Sequence, residues 1–334
     1  MEMNISPDIR YIGVDDLDID LFENQYIVPE GMSYNSWLIT DSQVAILDTA
    51  DARLAEEWKH NLSLALGTRQ PDFLVVHHME PDHASLAVWA MEQFPAMQIV
   101  CSAQAAKMLP QFFEGIKTDG RVRIVKEGDT LPLGQHTLRF IGAPMVHWPE
   151  VLMSYEEKSG TLFSADAFGK FGALQNETDD WACEARRYYF NICGKYGTQV
   201  KNVLKKATSP CPQAICPLHG PVLRGAALQQ AVSLYETWSS YEPESEGVLV
   251  AYASIHGGTK KAAERLREKG AKKVVLADLT RSDMAEVIED AFRYPALVVA
   301  ASSYDAGVFP VMHDFLYHLQ IKNYQKRRLG IVEN

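Results

Sequence analysis

Apolar residues in this chain come in short continuous runs, separated by longer stretches where they recur at helical spacing. Runs at 43–48, 73–76, 97–101, 121–125, 137–142, 161–165 and 213–216 have the length and bounding turns of strands. Between them, 52–66, 84–94, 103–113, 186–206 and 225–239 read as helices. In the last of these, Leu228, Val232, Tyr235 and Trp238 mark one face at i, i+4, i+7 and i+10. Strands and helices interspersed over this length suit two sheets with helices outside. Residues 241–247 are polar and acidic, contain Pro243, and read as a linker. The expected division is therefore a first domain over 1–241 and a second over 248–334.

Beyond the linker the pattern changes. Residues 248–253 are apolar throughout, as in a parallel strand covered on both faces. Further strands are predicted at 273–277, 296–301 and 329–332, with helices at 282–291 and 310–319. Two loops fall at the carboxyl ends of the first and third of these strands. Ser254, His256, Gly257, Gly258 and Thr259 form a hydroxyl- and glycine-rich turn into a helix that opens at Lys260, a place where backbone N–H groups meet a phosphate. Ser302, Ser303, Tyr304 and Asp305 form the other. In a doubly wound sheet, ligands bind at such strand ends.

The densest chemistry lies after the strand at 73–76. His78-Met79-Glu80-Pro81-Asp82-His83 packs four potential metal ligands into six residues, on a loop broken by Pro81. His147, Asp166 and His219 follow downstream, each beside its own strand-like segment. Four imidazoles and three carboxylates are enough for two metal ions with one carboxylate shared. No thiolate belongs to the set, which argues against a Cys-rich structural zinc site. Imidazole with carboxylate suits iron, manganese or zinc.

His-x-Glu-x-Asp-His, then Met145-Val146-His147-Trp148-Pro149, Ser164-Ala165-Asp166 and Leu218-His219-Gly220-Pro221, resembles the metallo-β-lactamase-like domain of the flavodiiron proteins. Residues 33–39, 45–49 and 186–189 agree. Hydrolases of that superfamily carry His where Glu80 stands, and the Glu marks an iron site. The loop at 254–259 likewise resembles the flavodoxin phosphate loop. The resemblance implies an α/β protein, an αββα metallo-β-lactamase-like sandwich followed by a flavodoxin-like doubly wound parallel sheet. It implies two irons: His78, Glu80 and His147 on one, Asp82, His83 and His219 on the other, and Asp166 bridging. It also implies FMN, held at Ser254–Thr259 and approached by Ser302–Asp305. Electrons would pass through FMN to the irons and reduce O2 to water, NO to N2O, or both. The family is a head-to-tail homodimer in which flavin of one subunit faces iron of the other. No Cys-x-x-Cys pair is present for a fused rubredoxin, so a separate rubredoxin-like or other electron-donor protein is expected. The alternative is a metal-dependent hydrolase on the same sandwich.

Composition narrows the setting. The net charge of −11 and a pI near 5.4 speak against nucleic acid or a membrane surface as partner. No apolar run reaches the ~20 residues of a membrane span. The N-terminus lacks the basic and apolar regions of a signal peptide. Five cysteines cannot all pair, and free thiols fit a reducing cytoplasm. The chain departs from the family in two places. His256 stands where Tyr or Thr is more usual. The sequence also closes at Glu333-Asn334, after the fourth strand of the second domain and without the fifth strand and last helices. On that reading FMN binds weakly or not at all, and the fourth strand is an exposed edge.

Overall fold

The computed structural model describes residues 3–118, 120–176, 180–269 and 273–333. Asn334 lies outside them, as do Met1 and Glu2. The chain divides into two compact units. One is Met1–Ala185 with Gln199–Val232; the other is Arg186–Thr198 with Ser233–Asn334.

The first unit carries two six-stranded sheets. One runs in the order Ile9–Tyr11, Trp37–Thr40, Val44–Leu47, Phe73–Val75, Gln98–Cys101, Val122–Ile124. The other runs Thr130–Pro132, Thr137–Gly142, Leu152–Glu156, Thr161–Phe163, Ala214–Cys216, Leu223–Arg224. Their inward faces share one apolar core that includes Trp37, Leu47, Val75, Leu138, Phe140 and Phe163. Burying strands on both sides explains why they read as continuous apolar runs rather than alternating ones.

Direction decides where the loops gather. Val44–Leu47, Phe73–Val75 and Gln98–Cys101 run parallel. In the second sheet, Thr161–Phe163 and Ala214–Cys216 run parallel, and Thr137–Gly142 points the same way through the antiparallel Leu152–Glu156 between. The loops carrying His147, Asp166 and His219 therefore leave one edge of that sheet. His78 follows the carboxyl end of a parallel strand of the other.

Two helices differ from expectation. The helix predicted at 84–94 is two pieces, Pro81–Ala84 and Ala87–Gln93. Pro81 starts the first at N1, where its fixed φ suits a helical turn. The segment predicted as one helix at 186–206 is Trp181–Tyr188, a wide turn at Tyr189–Cys193, a tight one at Gly194–Tyr196, and then Gly197–Thr208. Gly194 and Gly197 weaken the helix there. The Tyr241 hydroxyl serves the interrupted backbone, 2.9 Å from the Gly194 carbonyl and 3.2 Å from the Gly197 N–H.

Residues 186–198 belong with the second unit through buried ion pairs. Arg186 holds Glu244 at 2.7 Å and Glu289 at 3.4 Å, and Arg187 holds Asp283 at 2.7 Å. Phe190 stacks on Phe292 at 4.4 Å. The sheet of this unit is all parallel, in the order Val274–Asp278, Val248–Ala253, Ala296–Ala301, Arg328–Glu333. That is the 2-1-3-4 arrangement of a doubly wound sheet. The loop expected over 302–307 holds a small hairpin, Ser303–Tyr304 against Gly307–Val308. It turns at Asp305 and Ala306, both left-handed at φ 47 and 57, as a two-residue type I′ turn requires.

Candidate metal centre

The seven candidate ligands collect on the first unit in two groups whose donor atoms converge. His78, Glu80, His147 and Asp166 form one; Asp82, His83 and His219 form the other. Asp166 stands between them. Its Oδ2 is 3.1 Å from His78 Nε2 and 3.2 Å from His147 Nε2, while its Oδ1 is 3.3 Å from His83 Nε2 and 3.7 Å from His219 Nε2. Glu80 Oε2 lies 3.1 Å from Nε2 of both His78 and His147. Asp82 Oδ2 lies 3.2 Å from His83 Nε2 and 3.3 Å from His219 Nε2. The helical turn at Pro81 aims Asp82 and His83 away from His78 and Glu80, so one short loop feeds both groups.

Two of the four imidazoles, His78 and His219, are fixed from behind. His78 Nδ1–H donates to Glu150 Oε1 at 2.8 Å, and that oxygen also accepts from the Met79 N–H at 2.9 Å. His219 Nδ1–H donates to the Ser33 carbonyl at 2.6 Å. Each bond on the far nitrogen turns Nε2 toward the centre, the arrangement that orients histidine for a metal. The Asn35 amide donates to the carbonyls of Pro217 and Gly220, at 2.8 and 2.7 Å, and pins the His219 loop. Gly220, at φ +84, has no room for a side chain: a Cβ would lie 2.5 Å from Lys170 Cγ. The rings of Phe22 and Tyr34 stand edge-on to His219 at 5.3 and 5.7 Å and wall the site from water. Met145 and Ala165, flanking ligands, hold left-handed backbone at φ 65 and 50. Such strain costs about 1–3 kcal/mol per residue and collects at functional sites.

The electrostatics call for positive charge. Neither oxygen of Asp82 or Asp166 has an aligned hydrogen-bond partner, although imidazole nitrogens crowd them. The Asp82 and Asp166 oxygens face points that they share with the imidazole nitrogens. Burial opposes charge on His78, but the Asp166 carboxylate, with Glu150 and Glu80, raises its pKa well above the ordinary histidine value. Burial likewise opposes charge on His147, yet Asp166 and Glu80 raise it to about 9. Against the same desolvation, the surrounding imidazoles hold Asp166 and Glu80 far below the usual carboxylate range. Where no metal is bound, protons do the neutralising. A pair of divalent cations between these nitrogens and oxygens fits the donor set in number and kind.

In the second unit, the two loops named from sequence lie at the carboxyl ends of neighbouring parallel strands, with Ala253 paired to Ala301. The helix Gly258–Lys269 opens directly after Gly257. Gly257 has φ +85, and the space where its side chain would be is empty. Ser254 Oγ is buried without a hydrogen-bond partner, and Thr259 is buried. A buried hydroxyl lacking a partner beside a helix N-terminus fits a phosphate. His256, Ser303, Tyr304 and Asp305 are exposed.

Sequence reasoning left Glu150 and the Ser33 carbonyl without roles. Glu150 carried a signal, three residues after His147 on the same loop. The Ser33 acceptor is main chain and has none.

Among comparisons with known proteins, a family model described as "ODP family beta lactamase" matches residues 32–220. The uncharacterized protein MJ0732 of Methanocaldococcus jannaschii is 26% identical over 96% of this chain and 82% of its own length. "Putative diflavin flavoprotein A 1" of Thermosynechococcus vestitus is 29% identical over 83% of this chain, and "Anaerobic nitric oxide reductase flavorubredoxin" of Vibrio vulnificus 26% over 93%. The chain spans 49% and 65% of those two relatives. Crystal structures of the flavodiiron protein from Giardia intestinalis and of rubredoxin oxygen:oxidoreductase from Desulfovibrio gigas match the whole chain, each with TM-score 0.92, at 26% and 25% identity. The match covers 83% and 85% of those chains. No helix among the described residues is long and apolar enough to cross a membrane. By the family match and these neighbours, the chain belongs to the ODP family of β-lactamase-fold proteins and, within it, to the flavodiiron proteins.

Proposed function

We propose that this chain is a flavodiiron oxidoreductase that reduces O2 to water, NO to N2O, or both. One observation carries the reading: two groups of imidazole and carboxylate donors meet at Asp166, with three carboxylates and no thiolate. His78, Glu80 and His147 would hold one iron, Asp82, His83 and His219 the other, and Asp166 both. Three carboxylates against the charges of a diferrous pair would leave the centre positive, and Asp166, shared by both donor groups, would screen the repulsion of the cations. Iron so held would supply one-electron redox chemistry, and FMN in the second unit would relay electrons from the donor protein to it. The chain's own residues orient the imidazoles through Glu150 and Ser33 and exclude water with Phe22 and Tyr34. Ser254, Gly257, Gly258 and Thr259 would take the FMN phosphate, and Ser302–Asp305 would approach the ring or ribityl chain.

The names of the relatives support both substrates, one being a nitric oxide reductase and one an oxygen oxidoreductase. The electron donor is a separate rubredoxin-like or other protein, and the working form a head-to-tail homodimer. The test is metal and flavin analysis of natively expressed protein, followed by turnover of O2, and separately of NO without oxygen, with a reduced donor and added FMN. Two irons per chain and consumption of either gas support the reading. Near-stoichiometric zinc with little iron, and hydrolysis of a thioester, phosphodiester or lactam, would replace it with the hydrolase.

A further inference from the structure

His77 stands next to His78 yet takes no part in either donor group. Its side chain points the opposite way, as successive residues leaving a strand do. It is buried, with Nδ1 2.5 Å from Asp48 Oδ2 and Nε2 2.8 Å from Ser154 Oγ. Asp48 Oδ1 also accepts the His77 backbone N–H at 2.8 Å, so one carboxylate grips the residue at ring and main chain. The Leu152 N–H donates to the His77 carbonyl at 3.0 Å. Ser, His and Asp in this order make the constellation of a nucleophile, but Ser154 is fully buried and meets no substrate. What the three groups do is tie the loop to both sheets, since Asp48 follows Val44–Leu47 and Ser154 lies on Leu152–Glu156.

Thr49 comes next. Its N–H and its Oγ1–H both donate to the His83 carbonyl, each at 2.7 Å, and its Oγ1 accepts from the Leu86 N–H at 3.3 Å. Asp48 itself is held by its N–H to the Val75 carbonyl at 2.9 Å and by Ser36 Oγ–H to its own carbonyl at 2.9 Å. It takes a left-handed backbone at φ 55. Two adjacent residues thus hold the residue before the donor stretch and the residue that ends it. Polar groups buried this deeply are costly unless bonded, and each bond here lands on the donor loop or its support.

We infer that Asp48 and Thr49 form a two-point clamp that positions the donor stretch His78–His83. Asp48 acts through His77 on the donors His78 and Glu80. Thr49 acts through the His83 carbonyl on Asp82 and His83. Neither touches a metal position; both are positioning residues. The inference rests on the metal reading above but not on the metal being iron.

The test uses Co(II) as probe, with occupancy at each position read from anomalous diffraction at limiting metal and affinity from absorbance titration. The His77 ring lies parallel to that of Phe163, centroids 6.5 Å apart; His77→Phe keeps that packing and removes the ring's hydrogen bonds, and Thr49→Val is isosteric. Second-sphere losses commonly cost a metal site about 10–100-fold. His77→Phe should weaken the His78, Glu80 and His147 position by about tenfold or more, leaving the other within about threefold. Thr49→Val should do the reverse. His77→Gln, which can bridge Asp48 and Ser154, should recover part of the loss. Should His77→Phe fail to fold, Ser154→Ala decides the Asp48 half, with a smaller loss at the same position. Equal weakening at both positions, a lowered melting temperature with unchanged Co(II) affinity, or wild-type protein that takes up no Co(II) would each overturn the clamp. Wild-type protein that binds Co(II) but is purified without iron would overturn the diiron reading and leave the clamp standing.

Discussion

Asp166 is shut in, with four imidazoles around its two oxygens and 1% of its surface accessible, whereas Asp305 stands on an open hairpin turn. The two candidate sites differ in the same way throughout. The metal centre draws donors from four separate loops, buries them, and fixes His78 and His219 by bonds from behind. The candidate phosphate loop is one continuous segment, with a buried hydroxyl left over and the space at Gly257 vacant. The difference follows from what each holds. A metal ion brings no surface of its own, so the protein must pre-arrange every donor and meet the cost of crowding like charges before the ion arrives. A large phosphorylated ligand brings acceptors and apolar area, so the protein can leave hydroxyls and N–H groups waiting for it.

The hardest blow to this contrast is removal of its central residue. Asp166→Ala should take bound metal from two per chain toward none, because the shared carboxylate serves both positions and screens the cations from each other. Elemental analysis of the purified variant checks it. FMN affinity, resting on loops that share no residue with the metal centre, should stay within about twofold. A variant that keeps both metals would assign the shared role elsewhere.

A second test turns on the sign of a pH slope. In metal-free protein the His147 pKa is raised from 6.5 to about 9, burial opposing and Asp166 and Glu80 prevailing. A pKa raised on folding contributes stability that is fully present below the unfolded value and lost as pH climbs through the folded one. The metal-free protein should therefore melt at lower temperature as pH rises from 6.5 to 9, by up to roughly 3 kcal/mol of lost stability. Asp166 and Glu80 are depressed, so their contribution is present above the ordinary carboxylate range and lost on strong acidification. Bound metal reverses the alkaline trend, because it competes with those protons and binds more tightly as they leave. Melting curves with chelator and with Co(II) should have opposite slopes between pH 6.5 and 9. Parallel slopes would mean that the imidazoles are not charged by the centre.

What could be read in advance follows the same division. The donor loop was legible because six consecutive residues carry four potential ligands beside a buried strand. The doubly wound order was legible because its strands are long apolar runs. Asp48, Thr49 and Glu150 were not assigned roles, because their bonds span 29 to 72 positions of sequence and their partners are in part main chain. The break near 189–196 had a signal in Gly194 and Gly197, but the Tyr241 hydroxyl that stabilises it lies more than forty residues on. Two-residue strands such as Leu21–Phe22 and Tyr26–Ile27 carry too few positions to show a period at all.

The flavin side is tested with a gentler change. Ser254→Ala removes the buried hydroxyl that lacks a partner. If it faces phosphate, the lost hydrogen bond to a charged group should weaken FMN binding by about tenfold or more. Metal content should not move. Flavin fluorescence quenching measures the first and elemental analysis the second. Unchanged FMN affinity would place the phosphate elsewhere, and the comparison between a closed and an open site would lose its second half.

The smallest effect should come from the outer strand of the second sheet. Arg328–Glu333 pairs with Ala296–Ala301 on one side and has no strand partner on the other among the described residues. Leu329 and Ile331 are 57% and 72% exposed, and they line a cavity of about 650 Å3 with Val299, Met312 and Leu316. An apolar edge of this kind invites pairing with another chain. Leu329→Lys with Ile331→Lys gives up little buried area, so stability should change by no more than about 0.5 kcal/mol per site. Charge on the edge should lower self-association, as edge lysines do. Light scattering across a concentration series, beside thermal melts, reads both quantities. A melt lowered by several degrees would mean that these side chains are covered in solution. An unchanged tendency to associate would locate the sticky surface away from this strand.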